Sequence, residues 1–304
     1  MSAHDRLQKV FQTSPRIACD NQSKIVFISD CHRGDDSWAD NFAKNQNLYF
    51  SALTHYYREG YTYIELGDGD ELWENKQLSQ IMEVHSNVFW LMSKFYRENR
   101  LYLLYGNHDM VKRNKKQQCC MCSYYDVRSR SQAPLCPKIC FYEGLVLHYV
   151  PTDDEIFLVH GHQADFLNYT LWRLARFLVR YVWKPLEIIG IQNPTAAAKN
   201  YKTRDMVERK LIEWVQVEGH MMIAGHTHRP VFPHAGEPLY FNDGSCVHPR
   251  CITGIELNAG SISLIKWAYK TRLDGTVYVG RETLAGPASL DSFLHNKAIA
   301  DAVL

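Results

Sequence analysis

Short apolar runs of four to six residues recur along the chain, separated by longer segments of mixed spacing: KIVFIS (24–29), YTYIEL (61–66), LYLLY (101–105), EIFLV (155–159) and MMIA (221–224). Apolar runs this short, with helix-compatible segments between them, read as strands. Between them, segments 40–59 and 78–98 space their apolar residues by three and four and contain no proline, as crossover helices require. The alternation is that of βαβ units and predicts an α/β fold. After residue 230 the runs PLYFN, CITGIEL, SISLIKWAY and TVYVG, separated by turn residues, predict a strand-rich second layer. From about Ala285 the chain reads as a small peripheral element.

Two segments break this rhythm. Residues 111–143 are polar, basic and cysteine-rich, and residues 166–218 read as long helix broken near Pro185, Gly190 and Pro194. Both are expected as insertions in one domain spanning 1–304. Cys119, Cys122, Cys136 and Cys140 form C-x2-C followed by C-x3-C, a spacing that suits a structural zinc; Cys120 interrupts it, and reduced, idle thiols fit the same segment. Nine cysteines, an odd number, argue against a fully paired disulfide framework.

At 304 residues and 46% hydrophobic, the chain has material for a sizeable core. A net charge of +1 implies no polyanionic partner, and a nuclease would need a basic stripe with interleaved aromatics along its cleft; the basic segment 111–143 keeps that reading in view. No apolar stretch is long enough to span a bilayer and the N-terminus MSAHDRLQKVFQ is too polar for a secretory signal, so a cytoplasmic location is expected.

Every one of the five runs stops at a polar cluster. Asp30 and His32 follow the first, Asp68 the second, Asn107 and His108 the third, His160 the fourth, His226 and His228 the fifth. In open α/β sheets the carboxyl ends of the strands converge on one crevice, so these side chains can meet. A lone histidine is usually a core residue and a lone aspartate a helix cap, but five such coincidences in order point to a metal or catalytic cluster. Carboxylate, imidazole and amide ligands without thiolate suit Mn, Fe or Zn. One aspartate bridging two ions would hold them roughly 3.5–4 Å apart for hydrolysis, and Asp68 is the candidate bridge.

Asp30-Cys31-His32, Gly67-Asp68-Gly69-Asp70-Glu71, Gly106-Asn107-His108-Asp109, His160-Gly161-His162 and Gly225-His226-Thr227-His228 resemble, in order, the signatures of the calcineurin-like metallophosphoesterases, from about residue 24 to 230. The resemblance implies a sandwich of two mixed β-sheets flanked by helices. It also implies two divalent metals, one held by Asp30, His32, Asp68 and His228, the other by Asp68, Asn107, His160 and His226. Two such cations lower the pKa of a bridging water, so that hydroxide attacks a phosphoryl group whose charge they neutralise. His108 is then the acid for the leaving oxygen, as an imidazole titrating near working pH can be. Glu71 stands where the family often has an aspartate orienting that histidine; a helix-cap carboxylate is the other reading. Arg33 could contact phosphate or be an ordinary exposed arginine.

Within the superfamily, Gly67-Asp68-x-x-Glu71-x-Trp73, the His160-Gly161-His162-x-x-Asp165 segment and the helical insertion before Gly225 resemble the UDP-2,3-diacylglucosamine hydrolase branch, which cleaves a pyrophosphate in lipid A assembly. Cys31, the GNHD in place of GNRD and the cysteine-rich segment depart from it. The expected substrate is thus a phosphorylated small molecule or a lipid-linked one, cleaved at a phosphodiester or pyrophosphate bond. A phosphomonoesterase or phosphoprotein phosphatase would use the same metals, though Asp70-Glu71-Leu72 lacks the Asp-Arg-Gly usual in the latter, and a non-catalytic metal-binding scaffold would lack a ligand or His108. The run FLNYTLWRLARFLVRYVWK (166–184) has no acid and places Arg173, Arg176, Arg180 and Lys184 on one stripe. Two readings fit it: a buried helix with its basic side in water, or a lid sheltering an acyl group and touching an anionic membrane surface, which would put the protein at the inner membrane face.

Overall fold

The computed structural model describes residues 1–114, 121, 123–126, 130–183 and 201–294. In chain order the elements are α1 (Ala3–Thr13), β1 (Arg16–Cys19), β2 (Ile25–Ile28), α2 (Gln46–Arg58), β3 (Thr62–Glu65), α3 (Leu78–Val84), α4 (Ser86–Arg97), β4 (Leu101–Leu104), β5 (Ser123–Asp126), β6 (Ser131–Pro134), β7 (Phe141–Tyr142), β8 (Gly144–Tyr149) and β9 (Asp154–Val159). They continue with α5 (Phe166–Thr170), α6 (Trp172–Leu178), α7 (Tyr201–Glu218), β10 (Met221–Ala224), β11 (Tyr240–Asn242), β12 (Cys251–Asn258), β13 (Ser261–Thr271), β14 (Val277–Ser289) and α8 (Leu290–Leu294).

The strands form two mixed sheets, β1-β8-β9-β10-β11 and β14-β13-β12-β2-β3-β4-β7, with β5 and β6 as a separate hairpin. Side chains alternate between the faces of a strand, so each long apolar run feeds two cores. Ile25 and Phe27 of β2 meet Leu145 and Leu147 of β8, Ile156 and Leu158 of β9 and Ile223 of β10 between the sheets. Val26 and Ile28 face the other way, under α2, α3 and α4. The outer face of the five-stranded sheet is covered by α1 and α7 through Leu7, Val10, Phe11, Leu211 and Trp214. Both faces of the central strands are therefore dry, and this is why the runs read as continuous rather than alternating. The result is the expected sandwich of two mixed sheets flanked by helices.

Several expectations are corrected. The strands after residue 230 do not form a layer of their own: β11 extends the five-stranded sheet, while β12 pairs antiparallel with β2 and carries β13 and β14 outward. The segment from Ala285, as far as it is described, is not peripheral: Ala285 to Ser289 belong to β14, and Leu290, Phe293 and Leu294 of α8 are buried between the sheets. The helix expected over 78–98 is two helices, broken at His85, whose buried ring turns to Asp40 with Nε2 3.2 Å from Oδ2. β1 and β8 were not anticipated; β1 is a half-exposed edge strand, and β8 returns as the hairpin partner of β9. In the cysteine-rich segment, Met121, Leu135, Cys136 and Ile139 belong to the core under α2 and α4. Of the segment 166–218, α7 is a core helix between β9 and β10, whereas no residue of α5 or α6 is buried; residues 184–200, with Lys184, Pro185, Gly190 and Pro194, lie outside the described residues.

Candidate metal centre

β2, β3 and β4 run parallel, as do β9 and β10, so their carboxyl ends lie at one edge of the sandwich. Beyond the strands the ladder continues as loop pairing: Asp30 N donates to Gly67 O (3.1 Å), His32 N to Asp68 O (2.9 Å) and Gly225 N to His160 O (3.1 Å). The backbone at the ligands is unusual. Asp30, His32, Asp68, His226 and His228 all have φ between 49° and 69°, in the left-handed region that side-chain-bearing residues avoid. These turns aim successive polar side chains into one space. The glycines of the motifs follow from crowding: a Cβ on Gly106 would lie 2.1 Å from Asp68 Oδ1, and one on Gly225 would lie 2.2 Å from Ser29 Oγ.

The side chains gather into three groups able to hold an ion, Asp30 with His32 and His228, Asp68 with His160 and His226, and His32 with Glu71 and His108; the first two are made of the expected ligands. His228 Nε2 lies 3.0 Å from Asp30 Oδ1 and 3.3 Å from His32 Nε2. Asp68 stands between the groups: its Oδ2 is 3.2 Å from His160 Nε2 and 3.8 Å from His32 Nε2. Its Oδ1 accepts from His108 N at 2.8 Å, which leaves Oδ2 to face both groups. Asn107 Oδ1, His160 Nε2, His226 Nε2 and Asp30 Oδ1 are buried with no hydrogen-bond partner among the described residues.

These orphan atoms are a test of metal fit. His160 Nδ1 lies 3.0 Å from the Leu66 carbonyl and His32 Nδ1 lies 2.8 Å from Glu71 Oε2, so each Nδ1 carries the proton that is donated and each Nε2 presents a lone pair. At His160 that lone pair faces a carboxylate oxygen, and at His32 it faces a second imidazole nitrogen. Such pairs repel unless a cation or a proton lies between them, and a buried polar atom without a partner costs on the order of 1–3 kcal/mol. The same demand for positive charge governs the titration. Burial by itself lowers the His160 pKa, but the Asp68 and Asp30 carboxylates push it up to about 9. Burial raises Asp68, but His160, His108 and His32 more than offset this and hold it well below the usual carboxylate range. Hard oxygen and imidazole donors converging in a dry site fit divalent metal ions.

His108 is placed differently. Its Nδ1 is 2.8 Å from Glu71 Oε1, its ring stacks on Trp73 with centroids 4.3 Å apart, and its Nε2 is left for the cavity. Glu71 is no helix cap, since the next helix begins at Leu78, but it closes a turn by also accepting from the N–H groups of Trp73 (3.2 Å) and Glu74 (3.3 Å). One carboxylate thus orients a candidate metal ligand, His32, and His108.

Arg33 is neither an exposed arginine nor a phosphate contact. It is fully buried, with a bidentate pair to Glu65 (2.7 and 2.9 Å) and Nε 2.7 Å from Asp70. Lys112, also buried, joins Asp70 (2.5 Å) to Asp109 (2.8 Å), and Asp109 accepts from Gly106 N (2.7 Å). This charge ladder braces the two loops that carry Asp68 and Asn107. Ser29 and Asp243 also belong to the site: Ser29 Oγ lies 2.5 Å from Asp30 Oδ2 and 2.7 Å from Asp243 Oδ1. One hydroxyl proton cannot serve two carboxylates, and burial followed by the Asp30 charge pushes Asp243 well above the usual carboxylate range. Of the four cysteines considered for zinc, Cys119 and Cys122 lie outside the described residues, Cys136 is buried in the core and Cys140 is exposed. No thiol joins a metal-holding group among the described residues.

A cavity of about 690 Å³ opens above the centre, lined by His32, Asp68, Asn107, His108 and His228 on one side. Leu174, Leu178, Val179, Val182 and Trp183 form the other. The stripe expected along this helix is split. Arg180 turns inward, donating to the carbonyls of Leu72 (2.7 Å), Trp73 (2.8 Å) and Asn75 (2.9 Å), and ties the helical segment to the loop that carries Glu71. No helix among the described residues is long and apolar enough to cross a membrane.

Among solved structures, the fold resembles Vacuolar Protein Sorting 29 from Cryptosporidium parvum (13% identity, 87% of this chain and 98% of that one, TM-score 0.37). It likewise resembles Vps29 from Chaetomium thermophilum (11% identity, 86% and 96%, TM-score 0.39). No curated protein matches the chain. The family model described as calcineurin-like phosphoesterase matches residues 23–230, which include all the motifs assembled at this edge; the chain belongs to the calcineurin-like phosphoesterases.

Proposed function

We propose that this protein is a binuclear metal-dependent hydrolase of a phosphodiester or pyrophosphate bond, acting on a phosphorylated, lipid-bearing substrate such as a UDP-sugar lipid. The observation that carries the reading is the position of Asp68 Oδ2, within 3.2 and 3.8 Å of histidine nitrogens from the two groups. Asp30, His32, Asp68 and His228 would hold one ion, and Asp68, Asn107, His160 and His226 the other. When bound, two such ions supply a water of lowered pKa and neutralise phosphoryl charge. The chain's own residues do the rest. Gly106 and Gly225 let the ligand loops close on each other, and the Arg33, Asp70 and Lys112 ladder fixes their spacing. His108, steered by Glu71 and stacked on Trp73, presents Nε2 to protonate the leaving oxygen. The apolar wall of α6 supports a substrate with acyl chains, since leucine and valine facing a catalytic cavity exclude water and offer a polar leaving group nothing to bond.

The test is release of the two phosphorylated products from UDP-2,3-diacylglucosamine, with Mn, Fe or Zn added to chelator-treated protein. Turnover of this substrate over bis-p-nitrophenyl phosphate and p-nitrophenyl phosphate supports the lipid pyrophosphate reading. Preference for the monoester sinks it in favour of a phosphomonoesterase.

A further inference from the structure

A second concavity, of about 600 Å³, lies on the other flank of α6, between that helix and the short turn Met110–Arg113 that follows Gly106-Asn107-His108-Asp109. Met110, Arg113, Asn114, Trp172, Arg173 and Arg176 line it. Three arginines thus line one notch, and no carboxylate pairs with any of them among the described residues. Glu143, an acid that shares Tyr105 and Tyr169 with Arg113 as electrostatic neighbours, is engaged by Tyr105 Oη at 2.9 Å. The sequence adds none: residues 111–118 read VKRNKKQQ and residues 166–184 contain no acid.

Two of the arginines rest on an aromatic ring, Arg176 partly buried and Arg173 exposed. Arg173 and Arg176 lie over the Trp172 ring, with Cζ 5.6 and 5.0 Å from its centroid. Trp172 itself packs on the core under α2 and α4. This ordering has an electrostatic cost, visible in Arg176, whose pKa is lowered first by burial and then by the charges of Arg180 and Arg173. Elsewhere the protein places cations against carboxylates, as with Arg33, Lys112, Arg229 and Arg281. A cluster of like charges against an aromatic platform, with no carboxylate paired to it among the described residues, is complementary to a multivalent oxyanion, for which guanidinium forks are suited.

We infer that the notch formed by Arg113, Arg173, Arg176 and Trp172 is an accessory binding site for a phosphate group other than the one hydrolysed. It is separated from the metal cavity by the thickness of α6, so its occupant holds the outer flank of the helix while Leu174 and Leu178 face the reaction. The phosphate could belong to a lipid headgroup or to a free phosphorylated compound; the chemistry recognised is the same. The site does not depend on which ester the metal centre cleaves.

The experiment uses the full-length metal-loaded protein and the triple variant Arg113→Gln, Arg173→Gln, Arg176→Gln. Equilibrium dialysis against inorganic phosphate at low salt should show about one equivalent fewer bound, or an affinity weaker by about tenfold or more, in the variant, as loss of charge-assisted hydrogen bonds predicts. Turnover of bis-p-nitrophenyl phosphate and its competitive inhibition by phosphate, which report the metal centre, should be unchanged. Cosedimentation with phosphatidylcholine vesicles with and without phosphatidylglycerol separates the sources: a difference in the variant there assigns the site to a lipid phosphate, and a difference in dialysis alone assigns it to a soluble one. The corresponding triple lysine variant should retain most of the binding. Equal phosphate and vesicle binding by wild type and glutamine variant would overturn the site. So would loss of bis-p-nitrophenyl phosphate turnover in step with phosphate binding, which would place the arginines in the metal cavity instead.

Discussion

The two walls of the catalytic cavity are built on opposite terms. On the metal side, Asp30, Asp68, Asn107, His160 and His226 are buried, and Asp30, Asp68 and His160 are each engaged by a neighbouring backbone group. On the other side, Leu174, Leu178 and Val182 stay 41–53% exposed, and the helix that carries them is tied to the metal side through Arg180. Ligand geometry has to be held to fractions of an ångström, so it is set by core strands and their carboxyl-end loops. Selection of a substrate tolerates a looser element, and segments with few buried contacts are the ones that open at low free-energy cost. Under the proposed function, reactivity and choice of substrate are expected to be separable by mutation.

The sharpest break of that comparison is Asp68→Asn, which removes the charge facing both histidine groups. Turnover should fall by about a thousandfold or more and metal content, read by atomic absorption, should fall with it, while the melting curve stays cooperative. Two retained metals and a near-normal rate would take Asp68 out of the bridge. Next comes the brace under the metal side: Arg33→Ala leaves Glu65 and Asp70 buried without their cation and should cost about 3–5 kcal/mol of stability, measured by denaturant unfolding. A loss under about 1 kcal/mol would mean that the ladder is a passenger.

His108→Ala probes the metal side without its ligands. It should keep metal content and slow esters with poor leaving groups by about a hundredfold or more, while activated nitrophenyl esters change little, because only the former need a proton in the transition state. Equal losses on both substrates would remove His108 from proton transfer. The smallest effect is expected on the other wall. Arg180→Ala removes three hydrogen bonds from a charged donor and should loosen the helix, raising KM for lipid-bearing substrates by about tenfold. Small nitrophenyl esters should be spared; equal effects on both classes would show that the two walls do not divide the labour.

The metal side was largely legible in the sequence because each ligand sits just past a short apolar run, and a run buried on both faces leaves a pattern that survives without context. The brace was not legible. Arg33 pairs with Glu65 and Asp70, 32 and 37 positions away, and only the parallel pairing of β2 with β3 brings them together. Nothing in the local composition around Arg33 distinguishes a buried guanidinium from an exposed one. Arg180 was hidden for a related reason, since helical spacing places it on a stripe with Arg173 and Arg176 and the backbone carbonyls that capture it lie more than a hundred residues earlier. Asp243 carried a faint signal, an Asn-Asp-Gly after a predicted strand, but its partner Ser29 is 214 positions away. The division of the late strands between two sheets was likewise a matter of pairing, which alternation alone does not specify.

The left-handed backbone at Asp30, His32, Asp68, His226 and His228 has a consequence for the evolution of this chain. Each such residue stores on the order of 1 kcal/mol that the rest of the fold has to offset. A lineage that no longer needed the reaction would gain stability by letting these positions drift to glycine or asparagine, so the ligand set would be among the first things lost. Here the five left-handed positions lie on three separate loops, so the capacity to hold charge in one place is set against the stability of the chain at each of them.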